Sequence, residues 1–404
     1  MKANDGYRDS FFAKVAMSGN SLDWLDVELK ALADRHLRRE LRACHSAEAD
    51  GLIRMGNREY INFSSNDYLG LTRDVFTPEV QTTLSEIGWG SGASPLVTGR
   101  SETHACLEAR VADFKGTPAA LTFPTGFAAN LGTIAALAGD QDLILSDSRN
   151  HASIIDGCRL STARVEVYRH VDMDHLQELL KAAAGFRRRL IVTDSLFSMA
   201  GDVAPLPELA ELARSYQCML LVDEAHATGV YGSTGRGLAE HFQCEDAVDI
   251  SVGTFSKALG GIGGFVAGSQ SLVDWLSNRA RSYVFSTALP AVCAQASMEA
   301  LRIVVSEPDR RTQVLERASD FREKLQAAGF LKPGFPSQIV PVMMQNPDKA
   351  LALSSKLESC GLLVPAIRPP TVPQGHSLLR VSVSAAHSQP QLDQLAECLQ
   401  QYYS

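Results

Sequence analysis

Short continuous runs of apolar residues recur through the middle of the chain, separated by longer stretches with helical periodicity. Five of these runs are predicted to be strands: Leu143 to Asp147, Leu190 to Asp194, Met219 to Asp223, Ile250 to Thr254 and Gly264 to Gly268. A continuous apolar run is typical of a strand that is buried on both faces, and alternation with helices is typical of a parallel sheet. The pattern therefore predicts an α/β fold in which helices flank a mostly parallel sheet.

The pattern changes on both sides of this region. Before it, leucines at helical spacing from Ser21 to Arg42 predict an amphipathic helix. After it come a helical stretch, three short strand-like pieces and a last helix: Leu301 to Ala328, Ile339 to Met344, Leu362 to Ala366, Leu378 to Val383 and Gln389 to Tyr402. We therefore predict an N-terminal helical segment (1–60), a large domain (61–295) and a smaller C-terminal α+β domain (296–404).

Composition and charge limit the class of protein. The chain has 404 residues, of which 45% are hydrophobic and 21% charged, as is ordinary for a soluble enzyme. Its net charge of −8, with no basic run longer than Arg187 to Arg189, predicts no nucleic-acid partner and no acidic membrane surface. No stretch reaches the roughly 18 apolar residues of a membrane span, and Met1 to Asp9 lacks a signal-peptide core. We expect a cytoplasmic protein.

The cysteines give no sign of a special chemistry. The eight of them are scattered along the chain, and no pair has the spacing of metal ligands. Scattered cysteines are typical of reduced thiols in a cytosolic protein. We therefore expect neither disulfides nor a metal site.

The most informative motif is a lysine in a glycine-rich segment. Lys257 follows the hydroxyl residues Thr254 and Ser256 and precedes the glycines between Gly260 and Gly264. Small or apolar neighbours desolvate an amine and lower its pKa, which a lysine needs to form a Schiff base with an aldehyde. Hydroxyls and close backbone approach suit a phosphate beside that aldehyde. The segment indicates pyridoxal phosphate, although it also suits an ordinary solvated loop.

A second motif narrows the choice between these two interpretations. Asp223 ends a predicted buried strand, and ligands of open α/β sheets bind at the carboxyl ends of the strands. An aspartate there can pair with a protonated pyridine nitrogen, and His226 can reach the phenolic oxygen of the same ring. Taken singly, Asp223 also suits a helix N-cap and His226 a loop histidine. Together with Lys257 they favour pyridoxal phosphate, whereas GxGxxG and GxxxxGK[ST] nucleotide loops are missing.

Further stretches carry a resemblance to a known family. They are Asn62 to Gly70, Thr125 to Asn130, Asn150 to Ser153, Phe197 to Asp202, Asp223 to His226, Thr254 to Lys257 and Ala366 to Pro373. Over about Tyr60 to His387 the chain resembles the α-oxoamine synthases. These are fold-type-I pyridoxal phosphate enzymes that condense an amino acid with an acyl thioester and release carbon dioxide. The resemblance implies a pyridoxal phosphate-dependent acyltransferase with a large and a small domain.

The resemblance also implies roles around the cofactor. The backbone amides of Gly126 and Phe127 would face its phosphate at a helix N-terminus, as Thr254 would from its own loop. His151 would stack on the pyridine ring next to the substrate, and we place it with Lys257 and Asp223 among the catalytic residues. Ser198 would contact the cofactor. Family members usually carry an acid where this chain has Ala200, and we expect little effect from that change.

Substrate contacts follow from the same resemblance. Arg368, in a proline-bounded segment, would bind the amino-acid carboxylate with Thr371 beside it, and Asn66 would lie at the cofactor edge. Without the family match, Arg368 suits a surface arginine in a turn. An N-terminal arginine would reach the acyl thioester or its carboxylate; Arg38 is our choice and Arg42 the second.

Two further residues bear on assembly. Ser286 and Thr287 would contact the cofactor phosphate of a neighbouring subunit, which predicts a homodimer.

The motifs favour the family branch that condenses L-alanine with a pimeloyl thioester of coenzyme A or acyl carrier protein in biotin synthesis. Lys257 would bind the cofactor and later remove the α-proton. A branch that uses glycine, such as glycine C-acetyltransferase, shares most of these residues. A non-catalytic subunit is the alternative from another class, and the intact set of Asp223, His226 and Lys257 argues against it.

Overall fold

The computed structural model describes residues 20–47 and 51–403. Two predictions concern residues outside these ranges. They are the lack of a signal-peptide core at Met1 to Asp9 and the first part of the N-terminal helical segment. No helix in the described part of the chain is long and apolar enough to cross a membrane.

Strands and helices alternate along most of the described chain. The strands are β1 (His45–Ser46), β2 (Leu52–Met55), β3 (Arg58–Asn62), β4 (Ala119–Phe123), β5 (Leu143–Asp147), β6 (Arg164–Tyr168), β7 (Arg189–Asp194), β8 (Met219–Asp223), β9 (Ile250–Thr254), β10 (Gly264–Gly268), β11 (Ile339–Gln345), β12 (Leu362–Leu363), β13 (Ala366–Ile367) and β14 (Ser377–Ser382). The helices are α1 (Trp24–Asp34), α2 (Pro78–Ile87), α3 (Glu102–Lys115), α4 (Gly126–Leu137), α5 (Ala152–Leu160), α6 (Met173–Lys181), α7 (Leu206–Ser215), α8 (Leu238–His241), α9 (Gln270–Arg279), α10 (Arg281–Val284), α11 (Ala291–Ser306), α12 (Asp309–Ala327), α13 (Pro347–Ser359) and α14 (Gln389–Tyr402).

The centre of the fold is a seven-stranded sheet with the order β4-β10-β9-β8-β7-β5-β6. Strands β9, β8, β7, β5 and β6 pair in parallel, and β10 is antiparallel to both of its neighbours. The five strands predicted from apolar runs are all in this sheet, and the predicted α/β class is confirmed. Strands β4 and β6 were not predicted; β6 lies at an edge, where only part of it is buried.

Both faces of the sheet are covered, as the apolar runs predict. Within β8, Leu220 and Val222 point into one hydrophobic cluster and Leu221 into the other. Helices α4, α5, α9 and α10 contribute to the cluster of Leu221, and α3, α6, α7 and α11 to the opposite one. Burying an aliphatic side chain of this size is worth roughly 1.5–3 kcal/mol, so packing on both faces holds the strand ends in place.

The N-terminal segment is less helical than predicted. Helix α1 ends at Asp34 rather than Arg42, and His36 has a positive φ of 55° that no right-handed helix accepts. Strands β1, β2 and β3 follow, and β3 pairs with β12 to complete a four-stranded sheet. Helical spacing of leucines continues past Arg35, so periodicity alone could not place this end.

The C-terminal part corrects two further boundaries. The predicted helix from Leu301 to Ala328 is two helices, because Pro308 lacks the amide that a continuous helix needs. The predicted strand from Leu362 to Ala366 is divided at Pro365 between β12, which pairs with β3, and β13, which pairs with β14 in a three-stranded sheet with β11. The predicted domain boundary between residues 295 and 296 falls within α11, and the domain division stays a prediction.

Candidate active site

A cavity of about 220 Å³ lies at the carboxyl ends of the central parallel strands. Strands β7, β8 and β9 end there in Asp194, Asp223 and Thr254, and Lys257 follows β9 in the connection to β10. The cavity brings together seven predicted site residues: Gly126, Phe127, His151, Asp223, His226, Thr254 and Lys257. Because parallel strands present their carboxyl ends at one edge, residues over a hundred positions apart converge here.

One end of the cavity suits an anion. Helix α4 begins at Gly126, where Thr125 caps it by accepting a hydrogen bond of 3.0 Å from the amide of Ala128. A β-carbon on Gly126 would lie 3.2 Å from that of Thr254, and one on Gly264 would lie 2.6 Å from Cα of Gly126. Glycines therefore let the helix N-terminus and the strand ends meet closely, and the free helix amides form a phosphate cradle.

The two hydroxyls beside this cradle, on Thr254 and Ser256, differ in the hydrogen bonds that they already make. Thr254 donates to the carbonyl of Gly263 at 2.7 Å and accepts from the amide of Ser256 at 3.1 Å. Thr254 therefore shapes the loop before Lys257. Ser256 is exposed, and its hydroxyl makes a longer bond of 3.3 Å to Gly263, which leaves it freer to contact a ligand.

Lys257 has the environment that an amine nucleophile needs. Burial lowers its pKa to about 8, against the attraction of the Asp223 and Asp194 carboxylates, which favours the charged form. A substantial fraction of the amine is therefore neutral near neutral pH. The desolvation predicted from the apolar and glycine-rich neighbours is present.

Asp223 is buried and held by two donors. Its Oδ2 accepts from the amide nitrogen of Asn130 at 2.6 Å and its Oδ1 from the backbone of Ala225 at 2.8 Å. Burial and the Asp223 carboxylate together hold the pKa of Asp194 well above its usual value. Two neighbouring strand ends thus carry acids, and Asp223 accepts both a side-chain and a backbone hydrogen bond. Asn130 and Asp194 were missed as site residues.

The two histidines of the cavity favour the neutral form. The imidazole of His151 approaches Phe127 edge-on with ring centroids 6.4 Å apart, and its backbone amide donates to Asp194 at 2.7 Å. Burial lowers its pKa, against the opposing effect of Asp223. Burial also lowers the pKa of His226 well below its usual value. Neutral rings can stack on a cofactor or hydrogen-bond to it without the cost of a buried charge.

A buried arginine missed by the sequence analysis lies beside the cavity. Arg380, in β14, donates to the carbonyl of Ser198 at 2.5 Å, to Oδ1 of Asn66 at 3.0 Å, to Ser382 at 2.8 Å and to the hydroxyl of Tyr68 at 3.2 Å. The Tyr68 hydroxyl in turn lies 2.7 Å from Nδ1 of His226. Two predicted residues, Asn66 and Ser198, are thus held around a cation. The signal in the sequence was a single arginine within an apolar strand.

The proline-bounded segment lies further out, next to the N-terminal segment. Arg368 donates through Nη1 to the carbonyl of His36, and Thr371 accepts from Nη2 of Arg39 at 3.0 Å. Arg38 is exposed, and its predicted contact with the acyl substrate stays a prediction; Arg39 is the neighbouring arginine that contacts Thr371. Arg42, our second choice, forms an ion pair with Glu358 at 2.5 Å.

Ser286 and Thr287 lie outside this cavity, in the connection between α10 and α11. Within one chain they do not line the site, as expected for residues predicted to act on a neighbouring subunit. That role stays a prediction.

The residues present fit pyridoxal phosphate. The cradle at Gly126 suits the phosphate, Asp223 suits a protonated ring nitrogen, His151 offers a flat neutral ring, and Lys257 offers an amine of lowered pKa.

Comparison with known proteins gives the class. The family described as aminotransferase class I and II matches residues 58–399, and the chain belongs to this family. A solved structure of serine palmitoyltransferase from S. paucimobilis, with a bound pyridoxal phosphate–myriocin adduct, superposes with a TM-score of 0.89 at 30% identity and covers 94% of this chain and 97% of that one. Pyridoxal phosphate as cofactor and the fold-type-I transferase architecture are confirmed.

Two further relatives are more specific. The chain is 46% identical to the 8-amino-7-oxononanoate synthase of Anaeromyxobacter dehalogenans, over 93% of this chain and 94% of that protein. The crystal structure of 8-amino-7-oxononanoate synthase from Francisella tularensis superposes with a TM-score of 0.74 at 29% identity and covers 85% of this chain and 97% of that one. The predicted resemblance to the α-oxoamine synthases is confirmed.

Proposed function

We propose that this protein condenses L-alanine with a pimeloyl thioester to give 8-amino-7-oxononanoate, carbon dioxide and a free thiol, as a step of biotin synthesis. The observation that carries the proposal is the meeting of Lys257 and Asp223 in one cavity with an anion cradle. The 46% identity to a relative named for this product supports alanine and the pimeloyl chain over glycine and an acetyl group.

When bound, pyridoxal phosphate supplies an aldehyde for the amino group and an electron-withdrawing ring that stabilises negative charge at Cα. Asp223, held by Asn130 and Ala225, would pair with the ring nitrogen and favour its protonated form. Lys257, with a pKa of about 8, takes the proton from Cα of the amino acid and returns one to the product. His151, which lines the same cavity, would stack on the face of the cofactor ring.

The carboxylate of the amino acid binds to Arg380 in this proposal. Arg380 is 5% exposed, forms no ion pair with any carboxylate in the described part of the chain, and is close enough to lower the pKa of Lys257 and His226. A buried cation without a counter-charge is costly, and a substrate carboxylate would supply that charge. Asn66 orients the guanidinium by accepting from it at 3.0 Å.

Arg368, which the sequence analysis assigned to the amino-acid carboxylate, is proposed instead to bind the terminal carboxylate of the acyl chain together with Arg39, further out from the cavity. Arg39 contacts Thr371, and after burial its charge is the next cause of the lowered pKa of Arg368. Two guanidinium groups this close favour an anion between them. Arg39 therefore replaces Arg38 in the proposed site.

The working unit is proposed to be a homodimer in the cytoplasm. Helix α1 has no buried residue, and Trp24 and Val27 on it are more than half exposed, as is Phe285 next to the predicted cross-subunit contacts. Apolar surface of this kind is typical of a subunit interface. Ser286 and Thr287 would then reach the phosphate in the partner's site.

Thiol release tests the proposed reaction. The purified holoenzyme is incubated with alanine or glycine and with pimeloyl or acetyl thioesters, each as coenzyme A and as carrier-protein conjugates. We expect release with alanine and pimeloyl thioester and none from Lys257→Ala, which should still fold. Release with glycine and acetyl-coenzyme A alone would favour glycine C-acetyltransferase. Borohydride reduction that leaves no pyridoxyl group on Lys257 would favour the non-catalytic subunit.

A further inference from the structure

His170 joins two acids at the edge of the central sheet. It follows β6, and its imidazole is 12% exposed. Nδ1 lies 2.9 Å from Oδ1 of Asp147, and Nε2 lies 2.6 Å from Oδ2 of Asp202. Carboxylates only accept hydrogen bonds, so both ring nitrogens carry protons and the imidazole is a cation.

Both acids belong to structures next to the active site. Asp147 ends β5, and its carboxylate also accepts from the backbone amides of Val171 at 2.9 Å and Arg149 at 2.8 Å. Asp202 closes a turn, residues 197–202, through its carbonyl, which accepts from the amide of Phe197 at 2.9 Å. The cation thus fastens the 197–202 turn to the end of β5.

The 197–202 turn faces the substrate side of the site. The carbonyl of Ser198 accepts from Nε of Arg380 at 2.5 Å, and the carbonyl of Gly201 accepts from Ser337 at 2.7 Å. His170 also approaches Phe197 edge-on, with ring centroids 4.5 Å apart. Movement of the turn would therefore move the acceptor that orients the buried guanidinium of Arg380.

We propose that His170 is a positioning residue whose charge holds the 197–202 turn, so that the Ser198 carbonyl aims Arg380 at the carboxylate of the amino-acid substrate. The inference rests on the proposed function, in which Arg380 binds that carboxylate. His170 itself contacts neither substrate nor cofactor in this proposal. A neutral side chain at this position would lose the charge that attracts both Asp147 and Asp202, which would loosen the link between the turn and β5.

The charge of His170 also sets a pH range. Burial alone would lower its pKa, but the hydrogen bonds to Asp147 and Asp202 raise it to about 9. In the described part of the chain, Arg149 also faces this cluster, 3.9 Å from Asp202, and Tyr168 and Asp194 both interact with Asp147. Because the folded pKa lies above the ordinary value of about 6.5, the stabilisation is complete below about pH 6.5 and is lost as the pH rises through about 9.

The test compares holoenzyme variants His170→Gln and His175→Gln. His175 is the matched control, because it lies nearby in α6 and its Nδ1 accepts only from the backbone of Arg169 in the contacts seen. The dissociation constant of alanine is followed through the cofactor absorbance, together with KM, kcat and cofactor content. We expect His170→Gln to weaken alanine binding about tenfold, with kcat and cofactor content little changed, and His175→Gln to resemble the wild type.

The pH dependence distinguishes an effect of the His170 charge from an effect of the shape of its side chain. The wild-type advantage over His170→Gln in alanine binding should be largest near pH 7 and shrink toward none near pH 10. An advantage that does not change with pH, equal alanine affinities, or a loss confined to kcat would overturn the proposal.

Hydrogen exchange of the peptide containing residues 197–202 keeps the inference separate from the proposed function. If the wild type neither binds nor turns over alanine, the proposed function fails. Faster exchange in His170→Gln and in Asp202→Asn than in His175→Gln would still support the proposed role of His170 in holding the 197–202 turn. Equal exchange in all variants would overturn the proposed role of His170. If His170→Gln does not fold, Asp202→Asn tests the same link between the turn and His170.

Discussion

The pKa of Lys257 gives the sharpest quantitative prediction. Burial lowers it to about 8, whereas an exposed lysine has a pKa of about 10.4. At pH 7 about one amine in ten is then neutral at Lys257, against about one in a few thousand for an exposed lysine. From pH 7 to pH 9 the neutral fraction of Lys257 rises about tenfold and approaches its limit, while that of an exposed lysine rises about a hundredfold.

Competitive acetylation of the apoprotein measures this difference. A trace of labelled acetic anhydride is added at each pH, and peptide mass spectrometry compares Lys257 with the exposed Lys349 in the same sample. We expect an inflection near pH 8 for Lys257, whose labelling is normalised to that of Lys349.

The variant Asp223→Asn gives the direction of the electrostatic effect. The Asp223 carboxylate favours the charged lysine, so its removal should move the inflection of Lys257 below that of the wild type. An inflection of wild-type Lys257 above pH 10, or an upward shift in Asp223→Asn, would refute the reasoning about burial and charge.

Three other substitutions test separate parts of the site. Gly126→Ala places a β-carbon 3.2 Å from its nearest side-chain neighbour in the cradle. Cofactor affinity, measured by equilibrium dialysis, should therefore fall about tenfold. The control Gly185→Ala has open space around its β-carbon and should leave cofactor affinity unchanged. Arg380→Lys keeps the charge but loses the fork of donors, so KM for alanine should rise about tenfold or more; an unchanged KM would remove Arg380 from the substrate site. Asn130→Ala removes the 2.6 Å hydrogen bond to the Asp223 carboxylate, so thermal unfolding of the apoprotein should show a loss of about 1–3 kcal/mol in stability. An unchanged stability would contradict the role of Asn130 in supporting Asp223.

Five strands of the central sheet could be predicted because each is a continuous apolar run buried on both faces. For β8, Leu220 to Val222 gives a continuous apolar run whose length and position need no knowledge of the rest of the chain. The edge strand β6 mixes charged and apolar residues, and its pairing with β5 decides its structure. The end of α1 depends on the positive φ of His36, which leucine spacing does not report.

The cofactor side of the site was predictable for a related reason. Asp223, His226 and Lys257 lie within 35 positions of one another, at or just after the ends of adjacent strands β8 and β9. The substrate side joins segments more than 300 positions apart, such as Asn66 with Arg380. Spacing within the chain gives no information on such a contact, so the buried arginine was missed.

The proposal of Arg39 in place of Arg38 has the same origin. Both arginines follow α1 in a segment without regular structure, so no helical or strand periodicity assigns a direction to either side chain. Only the position of Thr371, brought in from the C-terminal part of the chain, distinguishes them.

The central claim is a condensation in which the amino acid loses its carboxyl carbon. It is tested most directly by supplying the holoenzyme with alanine labelled with carbon-13 at the carboxyl carbon, together with pimeloyl thioester, and measuring the label in carbon dioxide and in the product. The account predicts one labelled carbon dioxide for each thiol released and an unlabelled product with the mass of 8-amino-7-oxononanoate. A product that retains the label, or thiol release without labelled carbon dioxide, would contradict it.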